Sequence, residues 1–381
     1  MSPVEFVDID GDGTGLSVTM LAAGERVPIS YRSSTPLRLE RADALVPVGL
    51  LAAMRTREPL VLPRPVSPQL LGNLPRVQDI LHAFSDRELT RVPVEAEPAS
   101  DVPAPAGRGQ GAFFSGGVDA FYTLLKNEPD VTHLVFLQGF DVWDPASTRA
   151  DVASTSARDV AARLGKELIE IETNVRAVCR RFGTRTTAWG LALTCTALLL
   201  QDQLERMLVA GTDSYATLIP WSNHPLLDPL WSTEAIEMVL DGCEATRADK
   251  VKRIARSDLA LRHLRVCLRQ DAEQNCGQCE KCVRTMTTLR LVGALDRSET
   301  FPRTVDARKV ARIPIRNIHA EFYARENLWL AREVRDWPVY AAQLWVLRPR
   351  PWSGLRTRAR NSIARTLGRA FTRRASSRTA G

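Results

Sequence analysis

Two periods of apolar and polar positions alternate through the middle of this chain. Residues 111–114 (GAFF) form a short apolar run that leads into a helical pattern over 118–125. Residues 131–140 (VTHLVFLQGF) have the composition of a buried strand, and residues 151–164 return to helical spacing with small alanine positions. Residues 166–172 (KELIEIE) alternate with a period of two, residues 187–205 predict a long apolar helix, and residues 206–211 (RMLVAG) predict the next strand. Strands and helices in this alternation predict an α/β fold with a doubly wound parallel sheet. Ligands of such sheets lie beyond the carboxyl ends of the strands. Those ends are the Ser115 turn, the segment from Gln138 and Gly139 to Asp141, and the segment from Gly211 and Thr212 to Ser214.

The flanks follow other patterns. Residues 1–95 predict a separate α+β accessory region, with alternation over 37–45 and helical spacing over 75–84. Residues 96–109 lie in a Pro- and Ala-rich stretch expected to be a linker. The α/β core is placed at 110–298, and 299–381 is expected to be a helical extension ending in an Arg-rich tail.

Chemistry concentrates at two motifs. Ser115-Gly116-Gly117-Val118-Asp119 joins the apolar run to the helical pattern. Strand, glycine turn and helix bring backbone N–H groups toward an anion, and the glycines allow close approach to a phosphate. A plain turn is the bland alternative. Further on, Cys267, Cys276, Cys279 and Cys282 are spaced C-x8-C-x2-C-x2-C, which suits a closed tetrahedral Zn2+ site. The polar residues between the sulfurs argue against four packing cysteines.

The first motif resembles the SGGxD[ST] loop of the PP-loop ATP pyrophosphatases, departing from it where Ala120 replaces Ser or Thr. With the four cysteines, residues 111–295 resemble the 7-cyano-7-deazaguanine synthase branch of that superfamily. The resemblance implies a PP-loop, HUP-like core, ATP and Mg2+ as cofactors, structural zinc, and adenylation of a carboxylate followed by attack of ammonia. It also implies that adenine lies near Gln138 and Gly139, held mostly by backbone groups. Asp119 would order the loop or help hold Mg2+, and Arg247 or Lys250 would neutralise phosphate charge. A solvated basic helix face is the alternative for that pair. Thr246 is placed to cap their helix.

Residues 212–234 are too long and proline-broken for a simple connector and are the candidate substrate region. They hold Asp213, Ser214, Tyr215, Trp221 and Asp228, and His224 as a candidate general base. A self-packed Ω-loop competes with that role. Two other motifs fail. Asp8, Asp10 and Asp12 begin like a calcium loop but have Thr19 at its twelfth position, and Gly107-x-Gly109-x-Gly111 precedes its strand instead of following it.

Net charge is +7, but residues 343–381 hold ten Arg and no acid, leaving −3 on the remainder. The tail has a rough apolar stripe, and RNA binding, membrane-surface contact and a loose solvated tail all remain open; the last is favoured. No signal core or transmembrane span is evident, so a cytoplasmic protein is expected; its oligomeric state is open. The sequence thus points to an ATP-dependent, AMP-forming enzyme acting on a small-molecule carboxylate or amide. The rivals are a nucleotide-binding zinc protein without turnover and a tRNA-modifying enzyme.

Overall fold

The computed structural model describes residues 2–100, 107–140, 147–184, 187–269 and 271–348. The predicted α/β alternation is present. Five strands, β6 (Gly109–Phe113), β7 (His133–Gln138), β8 (Glu167–Thr173), β9 (Leu204–Ala210) and β10 (Glu237–Asp241), pair in parallel in the order β8-β7-β6-β9-β10. The order reverses between β6 and β9: the segment after β6 packs on one face of the sheet and that after β9 on the other, the place where such sheets take ligands. Successive side chains go to opposite faces of the sheet. Phe113, Val135, Met207 and Val209 join one core cluster, and Ala112, Phe114, Leu134, Phe136 and Leu208 join the other.

The first face carries α5 (Val175–Phe182) and α6 (Ala188–Leu199). The second carries α3 (Val118–Lys126), α4 (Thr148–Leu164), α7 (Arg247–Ile254), α8 (Asp258–His263) and α9 (Glu280–Leu291). Helix α6 is apolar on all sides and is buried throughout from Gly190. It stops at Leu199, short of the predicted 205, because Leu200 to Gln203 turn so that Leu204 can pair with Gly109 in the sheet. Sheet pairing there overrides a helical hydrophobic pattern.

The N-terminal region is α+β, but it is continuous with the core. Strands β1 (Glu5–Gly11), β2 (Gly15–Ala22) and β3 (Glu25–Ser33) form an antiparallel meander, and β3 pairs with β8 through Tyr31, Arg32 and Ser33. The sheet therefore has eight strands and is mixed. Helix α1 (Val46–Thr56) is buried along most of its length and packs on α5 and α6; α2 (Pro68–Phe84) flanks the same cluster. The alternation over 37–45 is no strand: Leu37 and Leu39 are buried loop residues ahead of a short 3-10 turn. Part of the expected linker is also structured. Pro98 bridges to Val66 and Gly109 begins β6, while Val94–Glu95, just ahead of the linker, make β5 beside β4 (Leu60–Val61). Asp8 to Asp12 lie in β1 and its turn, where Asp12 Oδ1 accepts the Thr14 and Gly15 amides.

Three helices, α10 (Ala307–Val310), α11 (Ile318–Glu333) and α12 (Trp337–Val346), complete the described chain. No helix among the described residues is long and apolar enough to cross a membrane. The Arg-rich tail beyond Arg348 lies outside the described residues.

Shared burial implies shared unfolding. Calorimetry of the full chain is expected to show one cooperative transition, and a chain lacking residues 1–95, which bares Ile169 and Ile171, is expected to be insoluble. Two resolved transitions would contradict the common core.

Candidate functional site

Strand β6 delivers the glycine turn directly to the strand-order reversal. Gly116 has φ +72°, a conformation natural to glycine, and Gly117 is the N-cap of α3. The Gly117 amide donates to Ser115 Oγ at 3.3 Å. The turn is also held from outside: the Arg265 amide donates to the Gly116 carbonyl at 2.8 Å and Arg265 Nη2 to the Ser115 carbonyl at 2.8 Å. The first intrahelical amide is that of Phe121, donating to the Gly117 carbonyl. The amides of Val118, Asp119 and Ala120 precede it at the positive end of the helix.

Beneath this turn lies an ion cluster of two buried cations and a half-buried carboxylate. Arg247 Nη1 donates to Asp119 Oδ2 at 2.6 Å, and Lys250 Nζ lies 3.4 Å from Oδ1. Lys250 is fully buried and also donates to the Gly211 carbonyl at the end of β9, at 2.6 Å. Burial by itself pushes the Asp119 carboxyl up, but Arg247 and Lys250 outweigh it and hold the carboxyl below its ordinary value. Both cations come from α7. Thr246 caps that helix as expected, accepting the Asp249 amide while Asp249 accepts the Thr246 amide.

A cleft of about 640 Å³ opens in front of the cluster. Ser115, Gly117, Val118, Asp119, Thr212, Trp221 and Arg247 line it, so one wall unites the glycine turn, the end of β9, the proline-broken loop and α7. Six basic residues contribute to the wall (Arg176, Arg180, Arg247, Arg265, Lys281 and Arg284) against two acidic ones, Asp119 and Glu280. That imbalance favours an anionic ligand.

Helix α11, in the expected extension, adds an ordered polar group to the same wall. His319 Nδ1 lies 2.8 Å from Asp213 Oδ1. A carboxylate only accepts, so Nδ1 carries the hydrogen, and Nε2 has no hydrogen-bond partner among the described residues. Trp221 meets the imidazole edge-on at 5.4 Å, and Tyr323 stacks on it at 6.4 Å. Tyr323 in turn lies under the guanidinium groups of Arg247 and Arg284, at 5.7 and 4.2 Å. A chain of contacts therefore runs from Asp119 to His319.

No protein-family model, curated protein or solved structure matches this chain.

The four predicted metal ligands converge. Their sulfurs all lie within 4.8 Å of one another, with Cys267–Cys279 and Cys276–Cys282 both at 3.8 Å. A tetrahedral zinc site with Zn–S of about 2.3 Å has an S···S edge of about 3.8 Å, so the set fits that ion. Amides of Gln278 and Cys279 donate to Cys276 Sγ, and Asn275 Oδ1 accepts the Val266 and Cys267 amides. Gly277, at φ +64°, turns the chain where a Cβ would meet Pro302. The centre adjoins the cleft, since Cys267, Glu280 and Lys281 also line it.

Other expected site residues have structural occupations. His224 is outside the cleft wall: its Nδ1 accepts the Leu226 amide at 3.1 Å, and its ring packs edge-on against Phe84. It closes a turn and is not placed as a general base. Ser214 is spent on a turn with Thr217, and Tyr215 is 64% exposed outside the wall. Gln138 and Gly139 end β7 as expected but do not line the cleft; a Cβ on Gly139 would collide with the Thr173 carbonyl, which accounts for that glycine. Gly116, Gly211 and Lys250 stand behind the wall. Both Asp119 oxygens face cations of α7 and none faces an open metal position. Asp228 anchors the loop internally, accepting the His224 amide at 2.5 Å and Asn223 Nδ2 at 3.1 Å.

Burial pushes the Asp228 carboxyl up to about 7 against three weaker hydrogen-bond effects. A folded pKa above the unfolded one means that stability rises as pH falls through about 7. Between about pH 8 and about pH 6 the gain is about 1.4 kcal/mol. Denaturant titrations should show this gain, and Asp228→Asn should flatten it. For the metal centre, elemental analysis is expected to find one zinc per chain, lost in Cys279→Ser with a large fall in melting temperature; an unchanged metal content would exclude the site.

Proposed function

We propose that this chain is an ATP-dependent, AMP- and pyrophosphate-forming enzyme with a doubly wound PP-loop core, adenylating a carboxylate or amide of a small metabolite for attack by ammonia or a related nucleophile. The observation that carries this reading is the Asp119–Arg247–Lys250 cluster set under the glycine turn at the strand-order reversal. Supporting it are the cation-rich cleft and the fit of the four cysteines to structural zinc.

In this reading the amides of residues 118–120 and the Arg247 guanidinium bind the β- and γ-phosphates, Lys250 holds Asp119 in place from behind the wall, and Mg2+ would accompany the nucleotide. Substrate oxygen attacks the α-phosphorus, and the bond to the pyrophosphate oxygen breaks. The nitrogen nucleophile then attacks the activated carbon, AMP leaves, and the nitrogen gives up a proton. His319 Nε2, with Nδ1 held by Asp213, is suited to take that proton. Catalysis otherwise consists of positioning and charge neutralisation by groups already fixed in the fold. The zinc centre is structural: its four sulfurs leave no open ligand position.

A second reading rests on Ala120, which is 6% exposed and packed in the core beside the turn. Loss of a hydroxyl there suits a nucleotide-binding zinc protein without turnover.

31P NMR with Mg-ATP and a cytosolic metabolite extract separates the two. AMP and pyrophosphate are expected, with Ser115→Ala weakening ATP binding by about fivefold to tenfold. His319→Ala should slow turnover by about a hundredfold or more while leaving ATP affinity unchanged. ADP and phosphate would sink the proposed bond cleavage. ATP binding with no turnover, in wild type and in Ala120→Ser alike, would favour the second reading.

A further inference from the structure

Helix α12 has no charged side chain from Trp337 to Val346. One face, Val339, Ala342, Gln343 and Val346, is buried on the protein. The other carries Trp337, Ala341, Leu344 and Trp345, and its spacing continues to Arg348. Trp337 and Trp345 are each 57% exposed, and Trp329, on the neighbouring α11, is 74% exposed. A helix apolar on both sides is normally covered on both. Six of the nine exposed large hydrophobic side chains among the described residues come from this short hairpin: Ile318, Trp329, Val334, Trp337, Leu344 and Trp345. Scattered exposure is ordinary, but a cluster of this kind marks an interaction surface.

The chain then enters its basic segment. Residues 343–381 contain ten Arg and no acidic residue, and Arg348 already sits over the Trp345 ring at 3.1 Å. We propose that the outer face of α11 and α12 docks on an anionic membrane surface, with the tryptophans at the headgroup boundary and the arginines paired with acidic lipid. Tryptophan suits that boundary because its ring is apolar and its N–H is polar. Arginine clusters beside such a face add attraction to acidic headgroups. No helix among the described residues is long and apolar enough to cross a membrane, and the proposed contact is with the surface.

Charge and composition choose this occupant. A second copy docked through the same face would bring two ten-arginine segments together, with nothing acidic in either to offset them. Single-stranded RNA stacks on aromatic rings, but Leu344, Val334 and Ala341 offer a base no stacking surface. An acyl boundary is satisfied by all of them.

Flotation of the full chain with vesicles of phosphatidylcholine alone and of phosphatidylcholine mixed with phosphatidylserine tests this. Binding is expected to the phosphatidylserine vesicles, with a blue shift of tryptophan emission, and to weaken as salt rises. The double variant Trp337→Ser, Trp345→Ser alters exposed positions only and should bind about tenfold more weakly with unchanged circular dichroism and melting temperature. Replacing Arg356, Arg360, Arg373 and Arg374 by Gln should weaken binding at least tenfold. No flotation at low salt would overturn the proposal, as would flotation indifferent to the two tryptophans. A dimer, or a single-stranded RNA complex, dissolved by the tryptophan variant in the absence of flotation would assign the face to that partner and also overturn it.

Discussion

The half-buried carboxylate of Asp119 constrains the rest of the site. Burial of that charge is opposed by desolvation, and only the close approach of Arg247 and Lys250 makes it tolerable. Lys250, with no exposed surface, is equally dependent on Asp119 and the Gly211 carbonyl. The start of α3, the start of α7 and the end of β9 therefore hold one another at fixed spacing. The glycine turn sits on top of that arrangement, and Arg265 fixes its other side.

A parallel sheet of five strands has an exposed edge at β8, and the N-terminal meander covers it. A second link joins the two regions through Asp43, which is fully buried. It accepts the Ser67 amide and Gln201 Nε2, faces Arg41, and is connected through Gln201 to Thr233. Apolar packing and a polar network thus both tie the first hundred residues to the strands that carry the site.

The cysteine centre and the cleft share their supports. Residues 264–267 run from α8 into Cys267, and Cys279 is the N-cap of α9. Drawing Cys267 and Cys279 together sets Arg265 against the glycine turn and brings Glu280 and Arg284, paired at 3.0 Å, to the cleft. Arg284 supports Tyr323, and Tyr323 supports His319. A metal ion held by these four sulfurs would fix the geometry of several cleft residues in this way.

Local chemistry was legible in the sequence by itself. Two adjacent glycines after an apolar run specify a turn, cysteines at short spacing can converge only if the turns between them are tight, and Thr246 with Asp249 makes a capping box within four residues. Most strand and helix periods from 111 to 211 were also legible, α5 excepted, because burial on one face or two imposes them residue by residue. Whatever depends on distant partners was left to the tertiary structure. The union of residues 1–95 with the core is a matter of strand edges, which carry no mark in a single strand's pattern. Helix α6 ended early because β9 needed its neighbour. His224 and His319 look alike as isolated histidines; one was assigned to a turn and the other to the cleft by Phe84 and Asp213, residues 140 and 106 positions away. Charge, spacing and period are properties of a segment, but the place of a side chain is decided by what the fold brings against it.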